Sequence, residues 1–210
     1  VSTSVDDAIT DILGQSGKSS QSAKNDCYTA EQTESGFEVT FTNCELNGSE
    51  PINGSVTVAY VQGSENQTVT NTYNDLSVGG HTISGTRTIE FMPSEENSSN
   101  YSFTVTSNIR LEDEDGTVTT ETGTRVFSFV FEDSQDSMFT ASGTWRLTIG
   151  EDTYEMSGSI SKPISCVHWA SGMLTVDKNG LEVDIDFGDG TCDNVATLTY
   201  PDGTTKEIEL

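Results

Sequence analysis

From Phe37 to its end the chain alternates apolar and polar residues with a period of two. Tyr101, Phe103, Val105, Ile109 and Leu111 alternate with Ser102, Thr104, Thr106, Asn108 and Arg110. Phe139, Ala141, Trp145, Leu147 and Ile149 alternate with Thr140, Ser142, Thr144, Arg146 and Thr148. A strand points successive side chains to opposite faces, so this pattern predicts antiparallel strands with one buried and one wet face. The 26 Ser and 30 Thr supply the wet face, and Thr and Val suit a pleated surface. Four prolines leave the strands nearly uninterrupted. The whole pattern divides into roughly a dozen strands.

A weak repeat runs through these strands: a polar residue, then Gly, usually followed by Ser or Thr. It occurs at Asn53-Gly54-Ser55, Ser84-Gly85-Thr86, Thr122-Gly123-Thr124, Ser142-Gly143-Thr144, Ser157-Gly158-Ser159 and Ser171-Gly172-Met173. By parity Gly54, Gly143, Gly158 and Gly172 fall on the apolar face. Glycines in a row on an inner face let a sheet curl, which predicts a strongly curved meander, half-barrel or barrel-like. The alternative is a bulge at each glycine that resets the register.

The N-terminus departs from this pattern. Val5, Ala8, Ile9, Ile12 and Leu13 recur at helical spacing after Ser4, and Asp6 and Asp7 sit in the first turn. A short helix is expected there, followed by a Ser/Lys/Gln-rich linker from Gln15 to Asn25. The expected organisation is helix and linker over 1–26 and a single β domain over 27–210. No signal-peptide pattern follows Val1, so the chain reads as a mature or trimmed form.

Thirty-four Asp and Glu oppose 9 Lys and Arg, for a formal charge of −25. Nucleic acid is excluded as a partner, because phosphate binding needs a basic face. No apolar run reaches the ~18 residues that suggest a membrane-spanning helix. The four cysteines Cys27, Cys44, Cys166 and Cys192 allow three connectivities. Their spacing suggests Cys27–Cys44 and Cys166–Cys192, each bracketing one local unit. Zinc would want a close Cys-x-x-Cys pair, which the sequence lacks. Two disulfides imply an extracellular or outer-surface location.

Candidate sites are few. Gly-Thr-Arg occurs twice, and parity places Arg87 with Ile83 and Ile89, and Arg125 with Phe127, Phe129 and Phe131. His81 shares the face of Ile83, and His168 that of Cys166. These four residues suggest an inner pocket for an anionic ligand; pairing of the arginines with nearby acids is the simpler reading. Asp184, Asp186, Asp189 and Asp193 fall within ten residues and could suit calcium. The competing reading is a hairpin in which Leu181, Val183, Ile185 and Phe187 face inward and Gly188-Asp189-Gly190 makes the turn. Glu112-Asp113-Glu114-Asp115-Gly116 reads as a solvated turn. Trp145 and Trp169 sit in strand patterns, where core packing is the common fate. No His-Glu-x-x-His, Gly-x-Ser-x-Gly or phosphate loop is present, so no catalytic residues are assigned and the chain is expected not to be an enzyme.

The block Cys166-Val-His-Trp169-Ala-Ser-Gly172, then Asp186-Phe-Gly-Asp-Gly-Thr-Cys192-Asp-Asn194 and Ala196-Thr-Leu-Thr199, resembles the ending of a group of secreted or lipid-anchored surface proteins of Bacteroidota. Gly80-His-Thr-Ile-Ser-Gly85-Thr-Arg-Thr88 is similar to a strand in the middle of that group, and Cys44 to its N-terminal cysteine strand. The resemblance implies export to the cell envelope and a β-rich domain. It brings no catalytic residues, and this chain shows no lipid-attachment cysteine at its start.

Together these features predict an extracellular or cell-surface, non-enzymatic binding or structural module, with calcium as a candidate cofactor. Its partner would be a surface glycan, lipid or protein. The alternatives are a carrier of a lipid or small anion on the concave face, or a self-assembling filament or adhesin subunit that pairs through an edge such as Thr204 to Leu210.

Overall fold

The computed structural model describes residues 27–45, 50–63, 66–94, 99–131 and 137–210. The expected helix and linker of residues 1–26 lie outside the described residues. Within them every regular element is a strand: β1 (Tyr28–Gln32), β2 (Gly36–Cys44), β3 (Ile52–Gln62), β4 (Gln67–Val78), β5 (His81–Pro93), β6 (Tyr101–Glu112) and β7 (Val118–Val130). They continue with β8 (Met138–Ile149), β9 (Asp152–Pro163), β10 (Ser171–Lys178), β11 (Leu181–Asp189), β12 (Val195–Thr199) and β13 (Thr205–Glu209). The thirteen strands form one sheet in sequence order, an antiparallel meander. It is not closed: β1 and β13 are the two ends of the order, so the barrel alternative does not form. Short turns explain the order, because each strand pairs with the one that the chain reaches next.

Two compact units divide the chain. The first draws on Val69–Arg87 and Asn108–Thr119 together with the described part of Val1–Val61. Its core is dry. Val39, Ile52, Val56, Val58, Leu76 and Ile83 are fully buried, with Phe41 and Tyr73 beside them. Each such aliphatic side chain contributes roughly 1.5–3 kcal/mol when taken out of water. Cys27–Cys44, with a Cα separation of 4.9 Å, ties β2 to the start of this unit, and Cys44 is part of the core.

The second unit comprises Gln62–Thr68, Thr88–Ser107 and Thr120–Leu210. Its buried cluster is small: Ile160, Phe187 and Ala196, with Ala141, Trp169, Leu174, Ile185 and Ile208 packed on them. Cys166–Cys192, 5.4 Å apart at Cα, closes the β9–β10 connection onto the segment after β11. Both disulfides are those that the spacing suggested. Val183, Ile185 and Phe187 are half-buried or buried as the hairpin reading has them, but Leu181 sits at the β10–β11 turn and is 57% exposed. β11 runs on through Gly188 and Asp189, so the expected turn at Gly188-Asp189-Gly190 gives way to a connection over 190–194.

Two of the glycines on the apolar face lie in unbroken register and two lie at register shifts. Gly143 stands opposite Gly158 in the β8–β9 pairing, and the register runs through both without a shift. Their φ angles are +144° and +149°, extended but mirror-handed. A Cβ on Gly143 would lie 2.1 Å from the Thr124 carbonyl oxygen, and one on Gly158 would lie 2.2 Å from that of Met173. An L side chain there would drive into the neighbouring strand, so only glycine keeps these strands paired. Register shifts occur in β2–β3, between Phe41 and Cys44 where Phe41 faces Gly54, and in β10–β11, between Ser171 and Met173 where Gly172 lies.

Candidate functional site

The second unit carries a row of aromatic rings along the apolar face of its strands. Alternation in β6 puts Tyr101 and Phe103 on one face, and alternation in β7 does the same for Phe127 and Phe129, with Phe131 next to them just past the strand's end. Register then brings rings from different strands together. Tyr101–Phe129 centroids are 4.9 Å apart, Phe103–Phe127 5.0 Å, Phe129–Phe139 4.7 Å and Phe139–Trp169 5.4 Å. Phe91 of β5 extends the row, 5.7 Å from Tyr101.

The rings stand upright. The four closest pairs have interplanar angles between 22° and 33°: 23°, 27°, 32° and 23°. Near-parallel rings at about 5 Å overlap face to face, since rings side by side in one plane need more room. Their faces are therefore turned toward one another, and their edges form the outer surface. Phe91 and Phe131 are 39% and 36% exposed, and the other six rings are half-buried. The first unit buries its apolar face, whereas the second leaves a continuous aromatic strip partly open to water. Contiguous apolar surface of this kind marks an interaction site.

Cations flank the strip. Arg125 ion-pairs with Glu121 on the same strand, and its guanidinium lies 5.6 Å from the Trp145 ring. Lys162 pairs with Phe139 in the β8–β9 register. Its Nζ donates to the carbonyl oxygens of Cys166 at 3.0 Å and Val167 at 2.9 Å, and lies 5.9 Å from the Trp169 ring. A shallow hollow of about 210 Å³ beside Gly123, Trp145 and Glu155 is below the usual size of a small-molecule pocket.

The residues expected to form an inner anionic pocket fall in both units. In the first, His81 Nδ1 lies 2.6 Å from Asp113 Oδ1, and Arg87 is half-buried in β5. In the second, Arg125 has the acidic partner that the simpler reading gave it, and His168 is half-exposed beside Trp169. The structure thus joins His81 to an acid and Arg125 to an acid and a ring.

The four aspartates of the candidate calcium segment each bond close at hand. Asp184 accepts from the Thr175 hydroxyl at 2.6 Å, Asp186 from the Gly188 amide, Asp189 from the Thr191 amide and hydroxyl, and Asp193 from the Val195 amide. Among the described residues, no three His, Cys, Asp or Glu side chains converge as a metal site. A cavity of about 170 Å³ is lined by Asp186, Asp189, Thr191 and Asp193, with room for ordered water.

Three turns share the triplet Asp-Gly-Thr: Asp115–Thr117, Asp189–Thr191 and Asp202–Thr204. In each, the carboxylate accepts the amide of the threonine two residues on, and the intervening glycine has a positive φ. These Asx turns hold all three carboxyls below the usual aspartate range: hydrogen bonds from the threonine stabilise the charged form.

Trp169 corrects a sequence expectation, because it lies in the connection between β9 and β10 rather than in a strand. The row itself and Lys162 were missed. The signal for the row was Phe-x-Phe-x-Phe at 127–131 and Tyr-x-Phe at 101–103, but stacking appears only once the register is known. Comparison of the chain with family models, curated proteins and solved structures gave no match.

Proposed function

We propose that the chain is an exported, non-enzymatic binding module of the cell exterior that holds an apolar ligand along the ring row of its second unit. One observation carries this reading: eight rings in continuous contact line the face of a unit that buries little else. The two disulfides support an oxidising location, as does the likeness of the C-terminal block to Bacteroidota surface proteins. Mirror-handed glycines in the middle of β8 and β9 support a curved, cupped sheet around the ligand.

Ring orientation separates the ligand classes. A sugar stacks on an open ring face, and here the closest ring pairs cover one another. A strip of ring edges suits an aliphatic chain, which favours the lipid-carrier reading over a glycan platform. The filament reading has less support. β13 is five residues long and carries Lys206, Glu207 and Glu209, features that blunt an edge.

The test is binding of the neutral apolar dye N-phenyl-1-naphthylamine, followed by its fluorescence. The dye brightens with the wild type and is displaced by hexadecanoate. Phe129→Ala removes the central ring and weakens dye binding at least fivefold. Equal binding by wild type and Phe129→Ala would remove the ring row as the site.

A further inference from the structure

Lys162 stands at one end of the ring row, and no carboxylate among the described residues pairs with it. Among the described residues its polar contacts are the Cys166 and Val167 carbonyl oxygens. Arg110, Arg125, Arg146 and Lys178 each have an acid: Glu112, Glu121, Glu155 and Asp152. In a chain with 34 acids, a half-buried ammonium whose contacts among the described residues are neutral acceptors stands apart from these four cations. It sits beside Trp169, whose ring stacks on Phe139.

We infer that the ligand of the ring row is a long-chain carboxylate, with its head on Lys162 Nζ and its chain running from Trp169 toward Phe91. This rests on the ring row being the binding site. Three observations select the ligand. The first is length. Phe91, Tyr101, Phe129, Phe139 and Trp169 follow one another at 5.7, 4.9, 4.7 and 5.4 Å, a row of about 20 Å at one ring per strand spacing. With C–C bonds of about 1.5 Å at about 111°, each carbon of an extended chain advances about 1.25 Å, so about sixteen carbons span the row. The second is charge. A formal charge of −25 repels anions at long range, but salt screens charges beyond about 8 Å. A head group in contact with Lys162 therefore meets chiefly its ammonium. The third is donor count. An ammonium has three N–H donors, and two of these already face carbonyls. One remains, which matches a single carboxylate oxygen, and the described residues beside it offer no arginine fork of the kind that grips a phosphate bidentately.

The experiment displaces N-phenyl-1-naphthylamine with hexadecanoate, hexadecanol and hexadecyl phosphate, from the wild type, Lys162→Gln and Lys162→Arg. The wild type binds hexadecanoate about tenfold more tightly than hexadecanol, a difference of about 1.4 kcal/mol. Lys162→Gln loses that preference while its hexadecanol affinity stays put, which shows that the row is intact; Lys162→Arg keeps it. Should Lys162→Gln fail to fold, the wild-type preference and its retention in Lys162→Arg still decide the matter. Equal affinity for acid and alcohol in the wild type overturns the role of Lys162 and leaves the ring row standing. Tighter binding of the phosphate than of the carboxylate overturns the choice of head group. Displacement by none of the three overturns the ring row as a chain-binding site, and this inference with it.

Discussion

Replacing Gly158 with alanine adds one carbon to a backbone that has no room for it. The φ of +149° is a conformation that costs a residue with a side chain roughly 1–3 kcal/mol. The new Cβ would lie 2.2 Å from the Met173 carbonyl oxygen and 3.0 Å from the Leu174 Cα. Relief requires β9 and β10 to separate locally, weakening one or two ladder hydrogen bonds at about 1 kcal/mol each. The expected loss is therefore about 2–5 kcal/mol, a large part of the total stability of a domain. At about two to four degrees per kcal/mol for a chain of this length, Tm falls by about 4–20 °C. Gly150→Ala is the control, because Gly150 has a φ of +59° and nothing within 4 Å. It stays near the cost of a left-handed residue alone, roughly 1–2 kcal/mol. Urea unfolding followed by tryptophan fluorescence reads both variants, since Trp145 and Trp169 belong to the same unit as Gly158. A Gly158→Ala protein no less stable than Gly150→Ala would refute the close approach of β9 and β10 as the reason for glycine.

Reduction of Cys27–Cys44 opens a loop of 17 residues and lowers stability by about 3 kcal/mol; an unchanged urea midpoint for Cys27→Ser/Cys44→Ser would contradict this. Carbon-detected NMR titration should find Asp115, Asp189 and Asp202 ionising below the usual aspartate range, because each accepts hydrogen bonds from a threonine. A depressed folded pKa contributes stability that is fully present above the unfolded value of about 3.9 and is lost as pH falls through the folded value. Thr204→Val removes a hydroxyl donor to Asp202 and moves that titration upward, and no movement would contradict the turn chemistry. Exchange of calcium for EDTA at fixed ionic strength should leave Tm unchanged, since the Asp184–Asp193 carboxylates bond within their own hairpin and turns. A rise of several degrees in calcium would instead make that segment a cation site.

Much of the fold was legible because alternation is a local property. The pattern at Tyr101–Leu111 and Phe139–Ile149 needs no knowledge of neighbours, and both segments are strands. The cysteine pairs were legible because each brackets a hairpin-sized unit. The site was legible only in part. Parity put Arg125 with Phe127, Phe129 and Phe131, but it could not say which rings of β6 and β8 oppose them. That depends on register, and register depends on turn lengths and on the glycines that keep β8 and β9 in step. Trp169 and Lys162 were harder still. One lies in an irregular connection, and the other precedes Pro163 and has the look of a turn residue. Their meeting is made by the disulfide-closed segment around Cys166, which no periodicity encodes.

Chemical-shift mapping of aromatic side chains with hexadecanoate tests the central claim most directly. Rings at Phe91, Tyr101, Phe129, Phe139 and Trp169 should shift together and saturate at one equivalent, while Tyr73 and Phe41 in the dry core of the first unit stay still. Shifts centred on Tyr73 and Phe41, or none along the row, would contradict the account.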